Sequence, residues 1–147
     1  MAEAPDSQDL VFFDTNVLLY LFDRDAERKR QLASELFKKH QQSGNLRLSL
    51  QVVHEFAANL LKKKFGIPLA TVVGLVTDLL TLEVALPQSE DTMEALEFMH
   101  RFGVTFWDGL ILAAAKRTGC AVLYSEDFQD GRVYDTVKIV NPFPDGS

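Results

Sequence analysis

The sequence has 147 residues, of which 47% are hydrophobic and 24% are charged, and its formal net charge is −6. These values predict one globular domain over residues 1–147, with a flexible tail at residues 1–9. The negative charge argues against a protein that holds nucleic acid by a large positive field, and the single cysteine excludes an intrachain disulfide. The sequence contains no run of 18 apolar residues, so no membrane helix is predicted.

The hydrophobic pattern alternates between short apolar runs and longer helical stretches. Strands are predicted at 10–13, 46–50, 121–124 and 137–140, with a short strand or extended segment at 82–86. Helical segments are predicted at 17–22, 25–40, 51–65, 69–80, from a cap at Ser89 to Gly103, and at 106–117. Strands that alternate with helices predict an α/β fold, a three-layer α/β/α sandwich around a mainly parallel sheet.

Four acidic residues adjoin or interrupt apolar segments, namely Asp14, Glu55, Asp108 and Asp127. A carboxylate removed from water destabilises the fold by several kcal/mol unless it is paired, protonated or bound to a metal. Four such residues along the chain predict one shared site that a cation makes tolerable. Carboxylate oxygens are ligands that Mg²⁺ and Mn²⁺ prefer, and these ions assist phosphodiester hydrolysis.

Each acid also has a plainer explanation. Asp14 follows the first strand, at an edge where ligands bind in open α/β sheets, but Asp14 or Asn16 would equally serve as a helix cap. Glu55 lies at the margin of an apolar helix stripe, where a solvated glutamate is common. Asp108 stands in the first turn of an apolar helix, where it would gain from the helix dipole.

The residues that would support the site are less sharply defined. Asp127 follows the strand at 121–124 and is preferred as the fourth acid, with Glu126 as its competitor. Thr15, Asn16 and Ser125 are candidates to orient metal ligands or water.

Two basic clusters, residues 28–30 and Lys62, Lys63 and Lys64, lie on predicted helices. A solvated helix face is the commoner explanation for such clusters. The second cluster would lie about two turns beyond Glu55 on one helix, which makes its lysines candidates to contact the phosphates of RNA.

These motifs, in this order, resemble those of PIN-domain ribonucleases, and in particular the small VapC-type toxins of toxin–antitoxin pairs. The segments that carry the resemblance are 13–18, 49–56, 106–115, 123–128 and 139–143. The family more often has alanine where this chain has Gly109.

The resemblance implies an endoribonuclease that depends on one or two Mg²⁺ or Mn²⁺ ions. Asp14, Glu55, Asp108 and Asp127 would be its catalytic acids, with Asp14, Asp108 and Asp127 as metal ligands. It also implies an RNA substrate, a homodimer and a cognate antitoxin whose C-terminal segment would lie across the active-site groove. A cytoplasmic location is expected from the single cysteine, and no membrane partner is expected because the sequence has no run of 18 apolar residues. Two alternatives stay open: an RNA-processing PIN nuclease without an antitoxin, and a non-catalytic module that holds a metal for interaction with a partner.

Overall fold

The computed structural model describes residues 9–144. The tail predicted at residues 1–9 therefore lies outside the described residues, apart from Asp9, whose backbone carbonyl accepts a hydrogen bond from Asn45 Nδ2 (2.8 Å). The strands are β1 (Leu10–Phe13), β2 (Leu46–Ser49), β3 (Glu83–Ala85), β4 (Cys120–Tyr124), β5 (Val133–Tyr134) and β6 (Val137–Val140). The helices are α1 (Thr15–Tyr20), α2 (Glu27–Ser43), α3 (Leu50–Leu60), α4 (Leu69–Leu80), α5 (Ser89–Phe102) and α6 (Phe106–Arg117).

The strands form one sheet in the order β3-β2-β1-β4-β6-β5. All neighbouring strands are parallel except β5 and β6, which are antiparallel. The chain moves outward from β1 through β2 to β3 and then crosses back to β4 on the other side of β1. Open α/β sheets bind ligands at the carboxyl ends of the strands beside such a reversal. Phe13 pairs with Tyr124 there, so Asp14 and Ser125 follow paired residues.

The helices form two groups. Because crossovers between parallel strands are right-handed, the reversal at β1 assigns α5 and α6 to the face of the sheet opposite the earlier helices. The contacts agree, since α1 packs on α2 and α3, α3 on α4, and α5 along α6, which itself contacts β2, β4 and β6. The predicted α/β sandwich with a mainly parallel sheet is confirmed.

The core is continuous through the central strands and α6. Val11, Phe12 and Phe13 of β1 are fully buried, as expected for a parallel strand covered on both faces. Helix α6 approaches α5 closely at Gly109, where a Cβ atom would stand only 2.8 Å from the backbone oxygen of Ala95. The absence of a side chain at position 109 therefore permits the close contact between these two helices.

Helix α3 ends five residues before the predicted boundary at 65. The chain turns after Leu60: the backbone N–H groups of Phe65 and Gly66 both donate to the Lys62 carbonyl, and Gly66 adopts a left-handed conformation (φ 62°). The placement of Lys62, Lys63 and Lys64 on a helix was therefore wrong, because they lie in this exposed turn.

Other bounds also differ from the prediction, including those of α1, predicted at 17–22 and observed at Thr15–Tyr20, and of α2, predicted at 25–40 and observed at Glu27–Ser43. Leu50 belongs to α3 and not to β2, because the Ser49 hydroxyl caps the helix by accepting from Val52 N (3.3 Å). Ser89 is the first residue of α5 and not its cap; the cap position is Gln88, whose N–H donates to the Asp91 carboxylate (3.0 Å). The two-residue strand β5 was not predicted. None of the helices in the described region is long and apolar enough to span a membrane.

Candidate active site

Asp14 lies at the point where β1 ends beside β4, and only 4% of its surface is exposed. Its Oδ1 accepts a hydrogen bond from Thr15 N (2.7 Å), which makes it the cap of α1. Its Oδ2 accepts from the hydroxyl of Ser125 (2.7 Å), the residue that follows β4. The capping explanation for Asp14 is therefore correct, and the same carboxyl group also joins the two central strands.

Burial disfavours the charged form of Asp14. Desolvation raises the pKa of this carboxyl group from 3.8 to about 7, against the opposing effect of the hydrogen bonds from Ser125 and Thr15. The negative charges of Asp127 and Asp108 raise it further. Asp14 thus has two acidic neighbours that come from distant parts of the sequence.

Asp108 lies half-buried in the first turn of α6. The Thr105 hydroxyl caps this helix by accepting from Asp108 N (3.1 Å). Burial raises the pKa of the Asp108 carboxyl group, and the charges of Asp127 and Glu55 contribute in the same direction. All four predicted acids are therefore connected by mutual electrostatic repulsion around the ends of β1 and β4.

Glu55 is held by residues on both sides of it. Its Oε2 accepts from the Thr15 hydroxyl (2.8 Å), and its Oε1 accepts from Gln51 Nε2 (3.0 Å). The same Gln51 nitrogen also donates to the backbone oxygen of Trp107 (3.3 Å). These contacts tie the first turns of α3 and α6 to the end of β1.

Glu126 and Asp127 occupy different environments. Glu126 forms an ion pair with Lys29 (2.6 Å) and accepts a hydrogen bond from the Tyr20 hydroxyl (2.6 Å), so its carboxylate already has two partners away from the acids. Asp127 is exposed, and its charge affects both Asp14 and Asp108. The geometry favours Asp127 as the fourth member of the site.

Ser125 connects the acids to one another. Its hydroxyl is fully buried, donates to Asp14 and accepts from the Asp127 N–H (3.1 Å) and from Asn16 Nδ2 (3.5 Å). Thr15, Asn16 and Ser125, which were predicted as orienting residues, all contact an acid or each other.

Two residues that contact the acids, Gln51 and Thr105, were not predicted from the sequence. Gln51 stands one helical turn before Glu55, and Thr105 stands three residues before Asp108. The first spacing is that of an i,i+4 side-chain pair, and the second is that of a helix cap, so the sequence carried a signal for both residues.

Among residues 9–144, the four acids have no ion-pair partner. Within the same range, no three histidine, cysteine, aspartate or glutamate side chains form a ready-made metal-binding group. The carboxylates are therefore close enough to repel one another, but within the described residues they are not arranged as a metal-binding group. Their oxygen donors match the preference of Mg²⁺ or Mn²⁺, which would offset this repulsion.

A cavity of about 520 Å³ adjoins the acids on the side of Glu55. We call this cavity the side groove; it lies between the first turns of α3 and α6 and the segment that joins β3 to α5. Helix α6 is apolar in sequence, but Trp107 at the edge of the groove is 64% exposed. The reason is that Trp107 lies in the first turn, whereas the residues that pack in the core are Ile111 to Ala115.

The lysines proposed to contact RNA lie in the turn after α3. Lys64 Nζ is 3.4 Å from the buried carboxylate of Asp23, and Lys62 Nζ donates to Asn59 Oδ1 (3.2 Å). Two of the three ammonium groups therefore have protein partners, and a contact of Lys62, Lys63 and Lys64 with RNA stays a prediction.

Comparison with known proteins places these features in a family. The family described as PIN domain matches residues 11–134. No match is found among curated proteins.

Several solved structures share the fold at low sequence identity. Mycobacterium tuberculosis VapC20, a toxin that cleaves the sarcin–ricin loop, is 19% identical; the match covers 80% of this chain and 89% of that chain, with a TM-score of 0.64. A toxin–antitoxin complex from Klebsiella pneumoniae is 20% identical, with 90% and 98% covered and a TM-score of 0.69. DNA-bound VapBC from Salmonella typhimurium is 17% identical, with 92% and 100% covered and a TM-score of 0.66.

Proposed function

The chain belongs to the PIN-domain family, and from this premise we propose that it is an endoribonuclease that hydrolyses RNA phosphodiester bonds with the help of Mg²⁺ or Mn²⁺. The observation that carries the proposal is the convergence of Asp14, Glu55, Asp108 and Asp127 at the carboxyl ends of the central strands. Their charges raise the pKa of Asp14 and of Asp108, and no ion pair within residues 9–144 offsets the charge of any of the four. Such a cluster is destabilising for a fold unless a ligand uses it.

Asp14, Asp108 and Asp127 are the residues we assign to holding one or two metal ions. A bound ion supplies a more acidic water and neutralises charge that develops on the phosphate. Ser125 and the Thr15 backbone N–H fix both oxygens of Asp14, so this carboxylate is oriented before any ligand arrives. Thr15 and Gln51 do the same for Glu55.

Hydrolysis adds water across a P–O bond: the water oxygen joins phosphorus, and the departing ribose oxygen leaves with a proton. A carboxylate of the cluster accepts the proton that the attacking water loses. Glu55 is suited to this step because hydrogen bonds to both of its oxygens fix its orientation.

The test is cleavage of single-stranded RNA by Asp14→Asn and Asp108→Asn, made separately. Each variant should lose about 100-fold or more in rate with MnCl₂ or MgCl₂, because several kcal/mol of charge stabilisation are lost. Asp78→Asn is the matched control, since Asp78 is an exposed aspartate on α4 outside the cluster. Addition of Mn²⁺ should also raise the melting temperature of the unmodified protein, and EDTA should reverse the rise.

Two results would count against the proposal. A folded Asp14→Asn or Asp108→Asn variant that cleaves at the unmodified rate would show that the cluster is not the reaction centre. Stabilisation by Mn²⁺ without cleavage of any RNA pool would instead favour the alternative of a non-catalytic, metal-holding module.

We further propose that this nuclease is the toxin of a VapBC-type pair, that it forms a homodimer, and that a cognate antitoxin binds it. Support comes from similar folds that occur in a toxin–antitoxin complex and in DNA-bound VapBC. A small gene for a DNA-binding protein directly upstream, whose product co-purifies with this chain and blocks cleavage, is the expected finding. Active nuclease without such a neighbour would favour an RNA-processing enzyme instead.

A further inference from the structure

Trp107 is the only tryptophan of the sequence, and it directly precedes Asp108. The residue is 64% exposed although it belongs to a helix that packs in the core. The ring is also packed against a neighbour, because Phe106 meets it edge-on with the ring centroids 5.4 Å apart. An indole ring that is held in place and largely open to solvent is a ready surface for a planar ligand.

The side groove begins at this ring and extends along the first turn of α3. Its walls include Leu50, Leu86, Phe106 and Leu110, so an apolar ligand face is well matched to it. Gln51 and Glu55 also line it, so the groove adjoins the acid cluster. The groove and the cluster are therefore continuous, and the Gln51 amide nitrogen contacts both of them through Glu55 Oε1 and the Trp107 carbonyl oxygen.

The charges along the groove disfavour a phosphate group. The Arg117 guanidinium group lines the groove but already has partners. Its Nε and Nη2 atoms donate to the Asp91 carboxylate (2.9 and 3.0 Å), and Nη2 also donates to the Leu86 carbonyl oxygen (2.8 Å). Together with the nearby acids and a net charge of −6, this leaves aromatic and apolar surface as the main source of affinity.

We propose that the side groove is a nucleobase-binding subsite in which an unpaired base of the RNA substrate stacks on Trp107, next to the phosphate that is cleaved. This inference rests on the proposed function. Bases stack on aromatic rings regardless of their identity, and such stacking does not require the positive field that this protein lacks. A base that is paired within a duplex cannot offer its face, so the subsite selects RNA that is single-stranded at the cleavage position.

The first test uses Trp107 as its own reporter, since no other tryptophan contributes to fluorescence. In EDTA, which prevents cleavage, titration with a hexamer of riboadenylate should quench the emission. A hexamer of abasic ribose phosphates has the same charge but no bases, and it should leave the emission unchanged. Equal quenching by both oligomers, or quenching by neither, would overturn the proposal.

The second test measures the binding of fluorescently labelled RNA by anisotropy, again in EDTA. Trp107→Ala should weaken binding by roughly 5- to 100-fold, and Trp107→Phe should restore part of it, because a smaller ring still stacks. Leu69→Ala is the matched control: Leu69 is 65% exposed, which is close to the value for Trp107, but it does not line the groove. Circular dichroism checks that each variant is folded.

The outcomes separate the subsite from the nuclease itself. Cleavage by the unmodified protein together with unchanged RNA binding by Trp107→Ala would reject the subsite while the proposed function stands. Base-dependent quenching without any cleavage in Mn²⁺ would reject the nuclease and, with it, a position of the base beside a cleaved phosphate, and would leave only base stacking on Trp107. If Trp107→Ala lost only the binding of a protein partner and bound RNA normally, the groove would be a protein-docking surface and the proposal would be wrong.

Discussion

The Asp14 carboxyl group is nearly enclosed between β1 and β4, and its pKa of about 7 lies well above the value of 3.8 for an exposed aspartate. The folded chain therefore takes up a proton at Asp14 between these two pH values, while the unfolded chain does not. Protonation of Asp14 stabilises the folded state. This contribution to the free energy of unfolding is fully present below pH 4 and is lost as the pH rises to about 7. In the absence of a metal ion, ionised Asp14 destabilises the fold by a few kcal/mol, on the order set by this pKa difference.

We predict that Asp14→Asn is more stable than the unmodified protein at pH 8 in EDTA, because asparagine has no charge to desolvate. The difference in melting temperature between the two proteins should shrink towards pH 4. Thermal unfolding followed by circular dichroism at several pH values measures it, with Asp78→Asn as the exposed control. A lower melting temperature for Asp14→Asn at pH 8 would contradict the assigned cost of burying the charge.

Single residues also show where sequence reasoning succeeds and where it stops. The positions of Asp14 and Asp108 beside apolar runs predicted that the two carboxyl groups share one region, and the effect of the Asp108 charge on Asp14 agrees with this, while their role in a site stays a prediction. Glu126 and Asp127 are adjacent, so local sequence pattern could not show which of them joins the acids. The difference depends on Lys29 and Tyr20, which contact Glu126 from about a hundred residues away in sequence.

At the scale of helices, the contact between α5 and α6 is set by Gly109. A Cβ atom at position 109 would lie 2.8 Å from the backbone oxygen of Ala95 and 3.1 Å from the Cα atom of Ala95. Backbone atoms cannot move aside as the end of a flexible side chain can, so the helices would have to separate. Asp108 directly precedes Gly109 on the same helix and would move with α6.

We predict that Gly109→Ala lowers the free energy of unfolding by about 1–3 kcal/mol through overpacking, in spite of the better helix propensity of alanine. Gly74→Ala on α4 is the matched control, because nothing lies within 4 Å of its added Cβ. That control should be neutral or stabilised by up to about 1 kcal/mol. Urea denaturation of the two variants measures both values, and equal stabilisation of both would contradict the close packing at Gly109.

Helix existence was readable from sequence, but some helix ends were not. The bounds of α4 and α6 agree with the prediction, and Pro68 directly precedes the start of α4. The end of α3 does not, because the polar run after Leu60 is compatible with a helix and only the turn closed on the Lys62 carbonyl excludes it.

At the scale of the whole molecule, the alternation of strands and helices predicted the class of fold but not the order of strands. That order depends on β4 pairing with β1 instead of β3, a contact between residues more than a hundred positions apart. It also decides that the segments after β1 and β4 lie side by side, which assembles the site. The convergence of the acids was inferred from the cost of isolated charges and could not be derived from local pattern.

The exposed turn at 61–66 divides the four acids evenly, with Asp14 and Glu55 before it and Asp108 and Asp127 after it. A protease recognition sequence inserted between Lys63 and Lys64 would allow the folded protein to be nicked there. The nicked protein should keep cleaving RNA, because β1 and β4 still hold the two pieces together. Each piece, once purified apart in urea, should be inert, and mixing them should restore the proposed activity, so the protein would serve as a two-part complementation reporter.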